Sequence, residues 1–387
     1  MYILKYRLYP SASQTAFLNK NIGCARFVYN WGLERQLSYY QENHKKLTYA
    51  ELCRELTELK KERPWLQDVI SQTLVSSLRN LETAYNRFFK KQSASPKFHS
   101  RHQRKQSINA PQGLKILDKN HLYLPKIGRV RAVFHRPISG NRGGWTVIKT
   151  RTGKFFICIT CRDDIKKARK TDDMIGIDLG IKTYATCSNG LKIDNPKWLR
   201  DAQKRLAILQ RRASKKAIGS QNRKKANLKV AKLHEKIVNQ REDWQHKWSA
   251  KLVSENQVIC LEDLSVSNML KNHKLAKSIQ ECAWSNFVSK LEYKAEWYGT
   301  QIVKIGRFEP SSKLCPCGYI NKGLTLAERA WTCPRCKATH DRDLLASCNI
   351  LSIGLKLLSG RGTPVEPVEV SASVEPVKQE SDLQLAF

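Results

Sequence analysis

Two cysteine pairs, Cys315/Cys317 and Cys333/Cys336, stand between two acidic signatures, Leu261-Glu262-Asp263-Leu264 upstream and His340-Asp341-Arg342-Asp343 downstream. Thiolates are soft ligands that close around zinc, whereas carboxylates are hard ligands suited to magnesium. A chain that nests one set inside the other must fold as a larger acidic-site domain with a small metal-stapled module inserted into it. A third acid arrives far upstream, in Ile175-Gly176-Ile177-Asp178-Leu179-Gly180, at the end of an apolar run. Three carboxylates from distant segments can therefore meet in one place.

The rest of the chain sets the charge around them. With 69 Lys+Arg against 34 Asp+Glu the formal charge is +35, which makes a polyanion, nucleic acid first, the expected partner. The 387 residues allow two or three domains. No apolar run approaches the roughly 18 residues of a membrane span, and no N-terminal segment has the form of a signal peptide. These features predict a reducing, intracellular setting and no membrane partner. Twelve cysteines there argue against a disulfide scaffold. The clustered four read as metal ligands and the other eight as small core residues.

A mixed α/β chain is expected. Residues 2–9 alternate as a strand, Pro10 ends it, and Ser11 to Gln14 fits a capping box. A helical pattern follows over 14–92, broken at Pro64, and 93–110 reads as a basic loop containing Arg101, Arg104 and Lys105. Short strands are expected over 122–124, 130–134, 145–149 and 154–160, separated by Pro125, Gly128 and Asn141 to Gly144, with Arg129 and Arg131 decorating a small barrel or sheet. Between 201 and 250 a helical pattern carries 14 Lys+Arg against four acids and is interrupted near Gly219. It reads as a hairpin lying along a phosphate backbone, with Arg211, Arg212, Lys215, Lys216, Arg223, Lys224 and Lys225 as candidate contacts. From Ser359 onward the chain is rich in Pro, Val, Glu and Ser without a period, and disorder is expected over 359–387.

The apolar runs 174–177 and 257–261 would each deliver an acid from a strand end, and Asp343 would open a helix over 344–358. Such an arrangement serves a two-metal nuclease, in which two cations about 3.5–4 Å apart activate water and stabilise the leaving oxygen. Magnesium suits the role, and manganese can substitute. On residue chemistry alone Asp341 competes with Asp343, and Asp263 with Glu262. The gap of 15 residues between the cysteine pairs matches a zinc ribbon holding one structural zinc. Its second knuckle is the usual CxxC, while the first is CxC and one residue short. His340 is a substitute ligand should Cys315 or Cys317 swing away.

The ordered pieces YRLYPSASQ, CARFVYNWGL, LPKIGRV, HRPISG, GIDLGIKT, LEDLSVSNMLKNHKLAKSI, EYKAEWYG, FEPSSKLCPCGYINKGLTL, WTCPRC and HDRD, from about residue 2 to 356, resemble TnpB. That family comprises transposon-encoded RNA-guided DNA endonucleases related to type V CRISPR effectors. The resemblance implies a wedge β-barrel from 1–12 and 93–169, with a helical recognition lobe inserted at 13–92. It further implies a RuvC-type, ribonuclease H-like nuclease domain from 170–307 and 340–358, with the zinc ribbon inserted at 308–339. Carried over by motif, the RuvC acids fall on Asp178, Glu262 and Asp343. The implied partners are a noncoding guide RNA and double-stranded target DNA, in a prokaryotic cytoplasm, with the protein a monomer on its RNA.

Two departures from the family pattern stand out: the short first knuckle, and Leu345, which replaces the amide of the usual DxNAA motif. Neither removes an acid, so an active nuclease is expected. The alternative is a nuclease-inactive, RNA-guided DNA-binding protein or repressor. Nothing resembles the tyrosine nucleophile of a strand-transferring enzyme.

Overall fold

The computed structural model describes residues 2–101, 106–138, 140–162, 172–325 and 328–360. It contains two compact units, Met1–Asp164 and Ile165–Phe387. Among the described residues no helix is long and apolar enough to cross a membrane.

The first unit opens with β1 (Tyr2–Tyr9), whose Leu4, Tyr6 and Leu8 are buried while Ile3, Lys5 and Tyr9 face solvent. Ser11 then caps α1 (Ala12–Asn43) through a reciprocal capping box with Gln14. His44 ends that helix in the left-handed region, and Thr48 with Glu51 repeats the box at the start of α2 (Tyr49–Glu62). Pro64 forces a single 3-10 turn before α3 (Ser71–Phe89). Val28, Leu52, Leu56, Leu66, Leu74 and Leu78 form the shared core of these helices.

Six further strands complete the unit: β2 (Gln106–Ala110), β3 (Lys115–Asp118), β4 (His121–Leu124), β5 (Gly128–Val133), β6 (Asn141–Lys149) and β7 (Phe155–Arg162). The sheet order is β2-β6-β7-β1-β5-β4-β3. Two sequence expectations are corrected here. The basic loop ends before residue 106, because Ile108 and Ala110 alternate into the core and pair with Val147 and Trp145 of β6. Asn141 to Gly144 lie within β6, where a register shift between Arg142 and Trp145 absorbs the glycines.

The second unit contains β8 (Met174–Leu179), β9 (Thr183–Cys187), β10 (Lys192–Asp194), α4 (Trp198–Ser214), α5 (Gln221–Glu255) and β11 (Val258–Glu262). It continues with α6 (Val266–Met269), α7 (Ala276–Cys282), α8 (Trp284–Tyr298), β12 (Gln301–Ile305), β13 (Ala330–Thr332), β14 (Thr339–Asp341) and α9 (Arg342–Ser359). Its main sheet runs β10-β9-β8-β11-β12, with β8, β11 and β12 parallel and β9 and β10 antiparallel. That is the ribonuclease H-like order.

Both faces of β8 and β11 are covered, so Met174–Ile177 and Val258–Leu261 are apolar throughout, whereas the edge strand β12 exposes Gln301 and Lys304. Ile259 and Leu261 pack with Leu252 of α5 and Phe287 and Leu291 of α8, whereas Val258 and Cys260 pack with Ile350 and Leu358 of α9. Gly176 lets α9 approach β8: a Cβ there would stand 2.7 Å from the Leu351 amide nitrogen. α4 and α5 form the basic hairpin, turned at Gly219 with φ +83° and restarted by the cap Ser220. Ser359 belongs to α9, which corrects the expected start of the disordered tail; residues 361–387 lie outside the described residues.

Candidate active site and metal centre

Parallel pairing of β8 with β11 sets Ile177 against Leu261, which puts Asp178 and Glu262 at the same end of neighbouring strands. Asp343 lies in the first turn of α9, which packs on β8. The structure thus gathers the acids near each other. Burial, then the negative charges of Glu262 and Asp343, push the Asp178 carboxyl up to about 7, while Arg342 and Arg329 pull the other way.

Each remaining acid has a local partner. Ser311 Oγ donates to Glu262 Oε1 at 2.6 Å. Arg329 Nη1 reaches both oxygens of Asp343 at 3.3 Å, and Arg342 Nη2 reaches Oδ1 at 3.4 Å. The neighbours that compete with them in sequence are committed to structure. Asp341 caps α9, accepting from the amides of Asp343 and Leu344 at 3.0 and 3.2 Å, and pairs with Lys192 at 2.9 Å. Asp263 is held by Arg307 at 3.0 Å.

Four cysteines make the tightest cluster. The sulfurs of Cys315, Cys317, Cys333 and Cys336 all lie within 4.8 Å of one another, the group of that kind found among the described residues. Cys315 to Cys336 is 3.5 Å and Cys317 to Cys333 is 3.6 Å. A tetrahedron with Zn–S of about 2.3 Å has edges of roughly 3.8 Å, so these donors fit zinc. Burial pushes the Cys315 thiol up to about 12. Burial opposes ionisation of Cys333 too, but the Cys336 and Arg335 amides with two neighbouring sulfurs hold it down to about 7. The short first knuckle closes by a turn at Gly318, φ +86°, with the Gly318 amide bonded to the Cys315 carbonyl at 2.9 Å. His340 Nε2 stands 3.2 Å from Cys315 Sγ, within reach as a fifth donor.

The carboxylates are spread wider than this cage. Such an open set suits magnesium, which takes one or two carboxylates and completes its shell with waters and phosphate. Leu345 is buried and packs with Leu324, Trp331, Cys315 and Cys333. Its departure from an amide is therefore a hydrophobic seal between α9 and the cysteine module.

The basic candidates divide. Arg211, Arg212, Lys215, Lys216, Lys224 and Lys225 are exposed on α4, the turn and α5, but Arg223 is tied to the Lys216 carbonyl at 2.8 Å and fixes the turn. Arg129 pairs with Asp118 at 3.0 Å, and Arg131 lies over the Tyr9 ring at 5.7 Å. Arg101 is exposed, while Arg104 and Lys105 lie outside the described residues. Sequence reasoning missed Ser311 and Arg329. Nothing local marks either one, since both act on acids tens of residues away or across a loop.

A ribonuclease H-like sheet with acids at adjoining strand ends and an inserted four-cysteine module defines a class, and comparison with known proteins places the chain within it. Models described as "Probable transposase", "Cas12f1-like, TNB domain" and "Helix-turn-helix domain" match residues 156–273, 284–350 and 3–45. The last segment is here one strand and one long helix. A Streptomyces pristinaespiralis protein named "Putative RNA-guided DNA endonuclease" is 41% identical over 97% of this chain and 95% of its own. Escherichia coli K12 "Putative RNA-guided DNA endonuclease InsQ" is 32% identical over 95% of this chain and 97% of its own. The chain belongs to the TnpB family. Its fold is like that of the protein in "Cryo-EM structure of the Cas12f1-sgRNA-target DNA complex", at TM-score 0.57 and 15% identity over 87% of this chain and 82% of that one.

Proposed function

We propose that this protein is an RNA-guided DNA endonuclease whose reacting centre is Asp178, Glu262 and Asp343. The observation that carries the reading is the convergence of the three acids at two adjoining strand ends and a helix start, where burial first, and then the charges of Glu262 and Asp343, raise Asp178 to about 7. Like charges held together at that cost are a feature of sites built to receive cations. Bound divalent metal would supply a hydroxide-like nucleophile and neutralise the leaving oxygen. The chain's own residues arrange the rest. Asp178 gives up its proton as positive charge arrives, Ser311 fixes one oxygen of Glu262, and Arg329 and Arg342 provide fixed positive charge where a phosphodiester would sit.

Guide RNA would select the target by base pairing while the protein holds backbone shape along its basic surfaces, including the α4–α5 hairpin. The four cysteines would hold one structural zinc. Purifying the protein with RNA transcribed from its own locus, then adding a plasmid bearing the matching target beside randomised flanks, tests the reading. Linear product that needs magnesium and disappears in Asp178→Ala supports it. Tight guide-dependent retention of uncut plasmid by the wild type would establish the repressor alternative instead.

A further inference from the structure

Phe308 is 94% exposed, the highest value for a large apolar side chain among the described residues, and it lies between β12 and Ser311, the residue that donates to Glu262. It occupies the tip of a turn in which the Glu309 amide bonds the Gly306 carbonyl at 3.3 Å, making Arg307 and Phe308 the two central residues. Both ends of this turn are tied to the neighbourhood of Glu262. On one side Arg307 donates to the Asp263 carboxylate and carbonyl at 3.0 and 3.2 Å, and the Asp263 amide bonds the Ile305 carbonyl at 3.2 Å. On the other, three residues on, Ser311 donates to Glu262 itself. Three residues of chain span at most about 11 Å, so the Cα of Phe308 lies within that reach of the Cα of Ser311, the residue that orients Glu262.

A single exposed apolar residue is ordinary on a protein surface. This one is held by a turn anchored twice to one acidic strand end, in a strongly cationic protein. A flat ring presented to solvent there offers what an unpaired nucleobase needs: a π-face, open on both sides, without sequence preference. No such role is available to the other highly exposed residue, Ile218 at 89%, which lacks a ring.

We propose that Phe308 is a stacking platform for an unpaired base of the DNA strand entering the acidic site, holding that strand within a few nucleotides of the phosphodiester to be cut. The proposal rests on the nuclease reading, and its test separates the two. Single-stranded DNA carrying 2-aminopurine at successive positions is mixed with the protein–RNA complex in calcium, and fluorescence quenching is read for wild type, Phe308→Ala and Phe308→Trp. Cleavage of unlabelled strand in magnesium is measured in parallel. Stacking is expected to quench the probe at one or two positions in wild type and Phe308→Trp, and Phe308→Ala is expected to lose that quenching and weaken strand binding about 5- to 150-fold. The melting temperature of all three should coincide, since the ring is bare. Cleavage by wild type with quenching unchanged in Phe308→Ala would overturn the platform and leave the nuclease standing. Quenching that depends on Phe308 without any cleavage would keep the platform and remove the nuclease, and quenching absent from wild type would also overturn the platform.

Discussion

Arg329 Nη1 lies 3.3 Å from each carboxylate oxygen of Asp343, so a residue on the segment entering β13 neutralises an acid on α9. Both side chains are partly open to solvent, and such a pair adds little stability, about 0–1 kcal/mol. Its value is electrostatic and local. Arg329→Ala should lower the cleavage rate about 100-fold, the size of losing one preorganised donor to a developing charge, with little change in melting temperature. Single-turnover rates beside thermal melts check this; a collapsed melt with an unchanged rate would show Arg329 to be structural.

Asp178 makes the second unit sensitive to pH. In the unfolded chain its carboxyl ionises near 3.8, while in the fold it holds its proton to about 7. The folded state therefore binds more protons between those values, so stability is full at low pH and declines as pH rises from about 4 to about 7. Melting curves without divalent ions should show that decline, Asp178→Asn should flatten it, and magnesium should restore stability to wild type above pH 7 only. A wild-type curve that rises smoothly across the window contradicts the raised Asp178.

The cysteine module should travel with its metal. Cys333→Ser is expected to reduce zinc content from about one per chain to near zero and to expose Trp331, which packs beside Cys333 and His340. Elemental analysis and tryptophan emission report the two effects. Because β13 and β14 pair Trp331 with His340 and end at the cap of α9, DNA cleavage should fall with them. Retention of zinc in this variant would point to His340 as a ligand.

Lys215 and Lys216 lie exposed at the turn of the α4–α5 hairpin. Replacing both with alanine should reduce the slope of log affinity against log salt by about 2 if each meets a phosphate. Binding isotherms across a salt series decide it, and an unaltered slope removes this turn from the nucleic-acid surface.

Gly176 tests how α9 is seated. Gly176→Ala would force a methyl against the backbone of α9 at Ser347 and Leu351, where neither side can yield as a flexible side chain would. A loss of about 1–3 kcal/mol is expected from overpacking, read as a lower melting temperature of the second unit. Wild-type stability would mean that α9 docks more loosely than the close approach implies.

Much of this molecule was legible before any fold was seen. The capping box at Ser11, the break at Pro64 and the interruption near Gly219 are local events, set by side chains within a few residues of the backbone they satisfy, whereas the break between α1 and α2 at His44–Thr48 went unread. The alternation in β1 and the apolar runs leading to Asp178 and Glu262 likewise announce strands, since burial on one or both faces writes itself into residue order. The cysteine spacing announced its cage for the same reason. By contrast β2 was hidden inside a basic stretch, because its inward residues Ile108 and Ala110 are few and the β6 residues it pairs with, from Trp145 against Ala110 to Lys149 against Gln106, are far along the chain.

What only the tertiary structure decided is which member of each acidic pair shares the surroundings of Asp178. Asp341 engages two helix amides and Lys192, and Asp263 engages Arg307, whereas the charges of Asp343 and Glu262 are the ones that act on Asp178. Sequence fixes which groups can ionise or ligate, through short-range chemistry. Only the folded chain fixes which charges feel one another, because Coulomb forces and burial depend on distance in space and are blind to distance along the chain.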